Sequence, residues 1–241
     1  MKRLVLLAVA AAVLLVPSTA LASGVVLKVQ KGTHLVAVTQ SKTRVVLVHT
    51  AAAARLHVGQ RVAVKGRTLK NGTLAATSVR VLGRTQTVHF RALVLKRTAG
   101  KLVVSANGAV IALRHGVART TASARDSGPQ AGTTVDVTAT VGSDDELDED
   151  DVTTVSADHS GGAIEGTITI GTGKITVVSE HMALVLSVPA GFDLSNVKNG
   201  DEVLAKFAQQ ADGTLLLTAI SNDEDEQGAN DEHEDDDDGD G

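Results

Sequence analysis

The 241-residue chain has no cysteine, no tryptophan and no tyrosine, and its only aromatics are Phe90, Phe192 and Phe207. Without cysteine there can be no disulfide, no thiolate metal centre, no cysteine nucleophile and no lipid-bearing N-terminal Cys. Without rings there are few platforms on which nucleic-acid bases could stack, an interaction worth ~1–3 kcal/mol per base. Proline is also scarce, at three residues against 23 glycines, in a chain that is 43% apolar. The apolar residues are mostly Val, Ala and Leu, a β profile with a small-residue core. Acid is missing from one half altogether. Eighteen Lys and Arg lie between Ser23 and Arg125, where there is no Asp or Glu, whereas all 28 acids follow from Asp126 onward with only Lys174, Lys198 and Lys206 for company. A net charge of −5 therefore conceals about +18 followed by about −25. Such asymmetry points to polyanion or surface contact by one half, with solvation or counter-charge supplied by the other.

Long apolar runs are absent with one exception. Leu4–Val16 is thirteen residues long, short of the ~20 needed to cross a bilayer as a helix. Lys2 and Arg3 precede it, Pro17 ends it, and Ala20-Leu21-Ala22 supplies a small-x-small cleavage pattern. Residues 1–22 are thus expected to be a signal peptide, with Ser23 as the mature start and a secreted, extracytoplasmic location. No membrane span is expected in the mature chain.

The rest is repetitive. Val58-Gly59-Gln60-Arg61-Val62-Ala63-Val64, Ala131-Gly132-Thr133-Thr134-Val135-Asp136-Val137 and Asn199-Gly200-Asp201-Glu202-Val203-Leu204-Ala205 are versions of one phrase, with glycines 73 and 68 residues apart. Two of the copies continue alike, through Asn71-Gly72-Thr73-Leu74 and Asp212-Gly213-Thr214-Leu215, and Asn-Gly or Asp-Gly between apolar runs signals a hairpin. Upstream of each phrase stand three Val/Ile/Leu/Thr-rich strands: Val25–Gln30, Leu35–Thr39 and Arg44–His49; Val88–Lys96, Lys101–Ser105 and Ala109–Leu113; Ala163–Ile170, Lys174–Val178 and Ala183–Val188. Thr50–Leu56, with four consecutive alanines, suits a helical turn or two. Five strands with a short helix between the third and fourth is the layout of an OB-type barrel. A single large β-sandwich is the competing architecture, and a period of about 70 residues argues against it.

The phrase Val58–Gly66, followed by Gly72-Thr73-Leu74-Ala75-Ala76-Thr77-Ser78-Val79, resembles OB-like domains of unknown function in secreted bacterial proteins. The resemblance covers roughly residues 24–221. It implies a fold and carries no catalytic residues with it. The expected organisation is all-β: barrel 1 at 24–83, barrel 2 at 84–157, barrel 3 at 161–222, and a disordered acidic tail at 223–241.

Two sets of residues could carry binding chemistry. Lys28, Arg44, Arg61, Lys65, Arg67, Lys70, Arg80, Arg91, Lys96 and Arg97, with Lys101, form a candidate anion-binding set suited to polymers bearing phosphate, sulfate or carboxylate. Asp144, Asp145, Glu146, Asp148, Glu149, Asp150 and Asp151 crowd seven carboxylates into eight residues. They are expected at the hairpin tip of barrel 2, a weak candidate site for a hard cation such as Ca²⁺, which wants six to eight oxygens. No complete Ca²⁺ loop of the helix–loop–helix type occurs. The acidic tail, with twelve acids and no base, is a further expected partner, competing with external anions for the basic barrels. Specific nucleic-acid binding is disfavoured by the lack of rings.

Enzymatic patterns are missing as well. The eight histidines show no H-x₃-H or HExxH spacing. Asp158-His159-Ser160 is a triad only in writing, since working triads assemble from distant segments. Gly171-Thr172-Gly173-Lys174 lacks the spacing of a phosphate loop. The expectation is a non-enzymatic secreted module contacting anionic polymers of the cell envelope or surroundings, without a cofactor. The alternative is a structural extracellular protein whose acidic segments bind divalent cations weakly.

Overall fold

The computed structural model describes residues 20–115, 128–156, 161–180, 182–210 and 214–222. The signal segment up to residue 19, Asp158-His159-Ser160 and the acidic tail lie outside the described residues. Fifteen strands make up the described fold. β1 (Ala20–Gln30), β2 (Leu35–Ser41), β3 (Arg44–His49), β4 (Gln60–Thr68) and β5 (Leu74–Arg84) close into one barrel. β6 (Thr87–Arg97), β7 (Lys101–Ala106), β8 (Ala109–His115), β9 (Thr134–Val141) and β10 (Leu147–Ser156) close into a second. β11 (Gly162–Gly171), β12 (Lys174–Ser179), β13 (Met182–Ser187), β14 (Glu202–Gln209) and β15 (Leu215–Asn222) form a third.

Each barrel has the same order: strands one, two, three, five and four around the ring, with the third and fifth parallel and the other neighbours antiparallel. This is the Greek-key order of the OB fold, and closure leaves no sheet edge open. A short 3₁₀ helix, Ala51–Arg55, follows β3, capped by the Thr50 hydroxyl accepting from Ala52 N at 3.2 Å. The glycine of the repeated phrase has the same conformation in all three barrels, with φ of +80° at Gly59, +86° at Gly132 and +94° at Gly200. Side chains avoid that left-handed region, so the position explains the glycine and confirms the pseudo-equivalence.

Most strand bounds shift by one or two residues from expectation, and the first strand shifts furthest. β1 begins at Ala20, three residues ahead of the expected mature start, because Ala20, Leu21 and Ala22 continue the ladder opposite Gly66, Lys65 and Val64 of β4.

Packing follows strand alternation. Val26, Val36, Val38, Val46, Val48, Val62 and Val64 fill barrel 1. Phe90, Val94, Leu102, Val104, Leu113, Val135 and Val137 fill barrel 2. Ile164, Ile168, Ile175, Leu186, Val203 and Phe207 fill barrel 3. The outer faces are apolar too where the barrels meet. The first strand of each barrel lies across the second and third strands of the one before: β6 against β2 and β3, β11 against β7 and β8. Accordingly Ala37, Val45 and Leu47, on the outside of barrel 1, are buried in the cluster that includes Phe90 and Leu102. Val103 and Val110, on the outside of barrel 2, are buried with Ile164. The β7–β8 tip, Asn107-Gly108, lies at the junction: Asn107 Nδ2 donates to Val45 O at 3.1 Å and Glu165 N donates to Gly108 O at 3.1 Å. The Ser105 hydroxyl donates to Ala163 O close by.

A candidate anion-binding surface

β4 and β5 of barrel 1 build the most uniform charged surface. β4 alternates, with Val62 and Val64 buried inside and Arg61, Lys65 and Arg67 exposed outside. On β5, Arg80 pairs with Ala63 and Ser78 with Lys65. Arg80, exposed, therefore lies across the ladder from the gap between Arg61 and Lys65 on the same face. Directly opposed residues sit ~5 Å apart at Cβ, and alternate residues of one strand ~7 Å apart. Lys70 extends the row into the β4–β5 turn, exposed beside Asn71-Gly72-Thr73. That turn is locked by Asn71, whose Oδ1 accepts from Thr73 N at 2.9 Å and Thr73 Oγ1 at 2.7 Å. Among the described residues no ion pair involves Arg61, Lys65, Arg67, Lys70 or Arg80.

The same face is not basic in the other barrels. Counting from the phrase glycine, Arg61, Ala63 and Lys65 correspond to Thr134, Asp136 and Thr138, and to Glu202, Leu204 and Lys206. Placing Asp136 where barrel 1 has Ala63 changes the chemistry of the face. It takes Arg91 in a two-pronged pair, Nε to Oδ1 at 2.8 Å and Nη2 to Oδ2 at 3.0 Å. The Arg91 hydrogen bonds hold the Asp136 carboxyl below its ordinary range, against a smaller opposing effect of burial.

The remaining predicted cations are scattered. Lys28 reaches from β1 to Glu180 of barrel 3 at 3.3 Å. Arg97 pairs at 3.3 Å with Glu149, whose other oxygen meets His115 Nδ1 at 2.7 Å. Lys96 is exposed near the end of β6, and Lys101 is exposed at the start of β7. Arg44 is exposed at the start of β3. The ten residues therefore divide three ways: Arg61, Lys65, Arg67, Lys70 and Arg80 gather on one face, Lys28, Arg91 and Arg97 are engaged by the chain's own carboxylates, and Arg44 and Lys96 are exposed elsewhere.

The acidic run is not confined to a hairpin tip. Asp144, Asp145 and Glu146 occupy the turn, but Asp148–Asp151 belong to β10. Strand pairing places them beside cations that tolerate them there. Arg114 on β8 meets Asp148 at 2.9 Å, Asp144 at 2.7 Å and Glu146 at 3.0 Å. Its hydrogen bonds hold the Asp144 carboxyl below the ordinary carboxylate range and raise Arg114 in turn. Asp145 is shared by His57 Nδ1 at 2.5 Å and Arg84 Nη2 at 3.1 Å, joining barrel 2 to barrel 1. Asp150 accepts from the Thr140 hydroxyl and Asp151 from Thr153 Oγ1 at 3.0 Å. Among the described residues no three His, Asp or Glu side chains converge to hold a metal ion. A cleft of about 450 Å³ beside Arg114 carries charges of both signs, Lys28, Lys31 and Lys101 against Asp145, Glu146 and Glu180.

Sequence reasoning missed the roles of Arg84 and Arg114 as clasps on the acidic turn, because nothing local pairs them with it. Lys206 was also passed over, although the repeat puts it at the position of Lys65.

No curated protein matches this chain. Solved structures that resemble it include the Drosophila Unr CSD456, at 12% identity over 84% of this chain and 97% of that one with a TM-score of 0.23. A multidomain protein with nucleic acid binding domains from Streptococcus pneumoniae TIGR4 shares 11% identity, covering 82% and 72% with a TM-score of 0.23. The tetrameric p202 HIN2 shares 12%, covering 57% and 93% with a TM-score of 0.22. Likeness at these scores extends neither to the arrangement of the barrels nor to a ligand. Residues 19–80, spanning β1 through most of β5 of the barrel that carries the cationic face, match the family described as "Domain of unknown function (DUF5666)".

Proposed function

We propose that this protein is a non-catalytic binding module that engages anionic polymers through the β4–β5 face of barrel 1. We further propose that it acts outside the cytoplasm, after removal of residues 1–22, against polymers of the cell envelope or its surroundings. One observation carries the reading: Arg61, Lys65, Arg67 and Arg80 share an exposed sheet face that holds no carboxylate partner among the described residues. Such a face attracts polyanions by releasing their condensed counterions, which makes binding steeply salt-dependent. It offers no ring for base stacking, so it should tolerate any regular polyanion.

A DNA duplex of arbitrary sequence serves as a probe of regular charge. Its affinity for the protein starting at Ser23 should fall linearly on a log–log plot against salt. Replacing Arg61, Lys65 and Arg67 by Gln should weaken binding on every sequence alike and flatten the slope by about three, roughly one per lost phosphate contact. An unchanged slope in the triple variant would reject the β4–β5 face.

A further inference from the structure

All three barrels meet around the Asn107-Gly108 tip. Gly108 has φ +98°, and a Cβ there would stand 2.5 Å from Leu204 Cδ1 and 3.2 Å from Leu47 Cδ1. The tip is therefore wedged between barrel 1 and barrel 3. Beside it opens a pocket of about 280 Å³ whose lining includes Arg44 of barrel 1, Arg91 of barrel 2 and Lys206 of barrel 3, with no Asp or Glu. Asn71 and Asn107 add carboxamides and Leu204 an apolar wall. A second hollow of about 380 Å³ shares Asn71, Leu204 and Lys206 with the first and adds Lys70, again without a carboxylate.

Three cations delivered to one small pocket by three separate barrels repel each other. Two of the three are in no ion pair among the described residues: Arg44 and Lys206. Arg91 is steered rather than neutralised away. Asp136 takes its Nε and Nη2, fixing the guanidinium plane and leaving Nη1 outside that fork. Asn107 is equally fixed through its bond to Val45 O. The site is thus preorganised at a junction that only the assembled molecule provides, and an oxyanion would relieve its charge.

We infer that this junction binds a small multivalent oxyanion, of phosphate or sulfate chemistry and up to diphosphate size, with one charged group at Arg44, Arg91 and Lys206 and a second toward Lys70. Fork-shaped guanidinium donors suit the paired oxygens of such groups. The inference does not rest on the β4–β5 face, whose cations other than Lys70 lie outside this lining.

Pyrophosphate titrated calorimetrically into the full chain should bind saturably, one per molecule. The Arg44→Gln/Lys206→Gln variant, with both sites exposed and its unliganded melting temperature checked, should bind at least about tenfold more weakly. Lys206→Arg should restore binding, and Lys65→Gln/Arg67→Gln should retain it. Acetate at equal ionic strength should leave the isotherm in place. Absence of a saturable isotherm, an unchanged affinity in Arg44→Gln/Lys206→Gln, or equal displacement by acetate would each overturn the site.

Discussion

Whether an arginine here serves the fold or faces solvent alone is decided by a single neighbour. Ala63 leaves Arg61, Lys65 and Arg80 without a carboxylate, while its counterpart Asp136 ties down Arg91. The pairing has a pH signature. The Asp136 pKa is lowered in the folded chain, so its contribution to stability is present above the ordinary carboxylate range and is lost as pH falls through the lowered value. Both partners are partly exposed, so solvent screens the pair and keeps its contribution small. Arg91→Gln should accordingly lower the urea midpoint slightly at neutral pH and by less near about pH 3. An equal effect at both pH values would mean that Arg91 acts through packing. At this scale the sequence showed which residues are charged but not which are spoken for. Arg91 and Asp136 are 45 positions apart, and only the β6–β9 register, with Arg91 opposite Asp136, brings them together.

At the scale of the strand, much was legible. The three upstream strands of each copy, the helical turn after β3 and the phrase glycine were readable because β-branched alternation, turn residues and an obligatory positive φ are local signals. Inter-barrel packing was not inferred, although a trace of it exists. Val45-Val46-Leu47-Val48 and Leu102-Val103-Val104 are unbroken apolar runs, which is how strands buried on both faces appear. In contrast β12 and β13 leave Val178 48% and Val185 54% exposed. Leu47, paired with Ala37, and Val185, paired with Thr176, occupy equivalent outward positions. The same substitution should therefore have opposite consequences. Leu47→Asp buries an unpaired carboxylate and should destabilise by about 3 kcal/mol or more. Val185→Asp should stay within about 0.5 kcal/mol of the parent. Equal denaturation midpoints for the two variants would show that the barrels are not packed through β3.

Over the whole molecule, the basic half and the acidic half are only partly separate. Arg114, Arg97 and Lys28 already meet acids of the second half across strand and barrel boundaries. The twelve acids after Asn222 are tethered to a body whose first barrel is wholly basic, and a tethered partner acts at an effective concentration that can reach millimolar. Deleting residues 223–241, or replacing them by a neutral Gly/Ser segment of equal length, should each raise the salt needed to elute the protein from a sulfated resin. Coincident elution of all three proteins would show that the tail does not compete. The charge blocks were plain in the sequence; the junction pocket was not, since it draws Arg44, Arg91 and Lys206 from three different barrels.

The repeated docking of a first strand on the preceding barrel gives the molecule a direction, and the Asn107-Gly108 tip ties the first barrel to the third as well. Its two ends are unlike. Trimming the last barrel would strip cover from Leu93, Val103 and Val110 and leave a greasy scar, whereas the outer β12–β13 face of that barrel already meets water at Val178 and Val185. Such an architecture is easier to lengthen than to shorten.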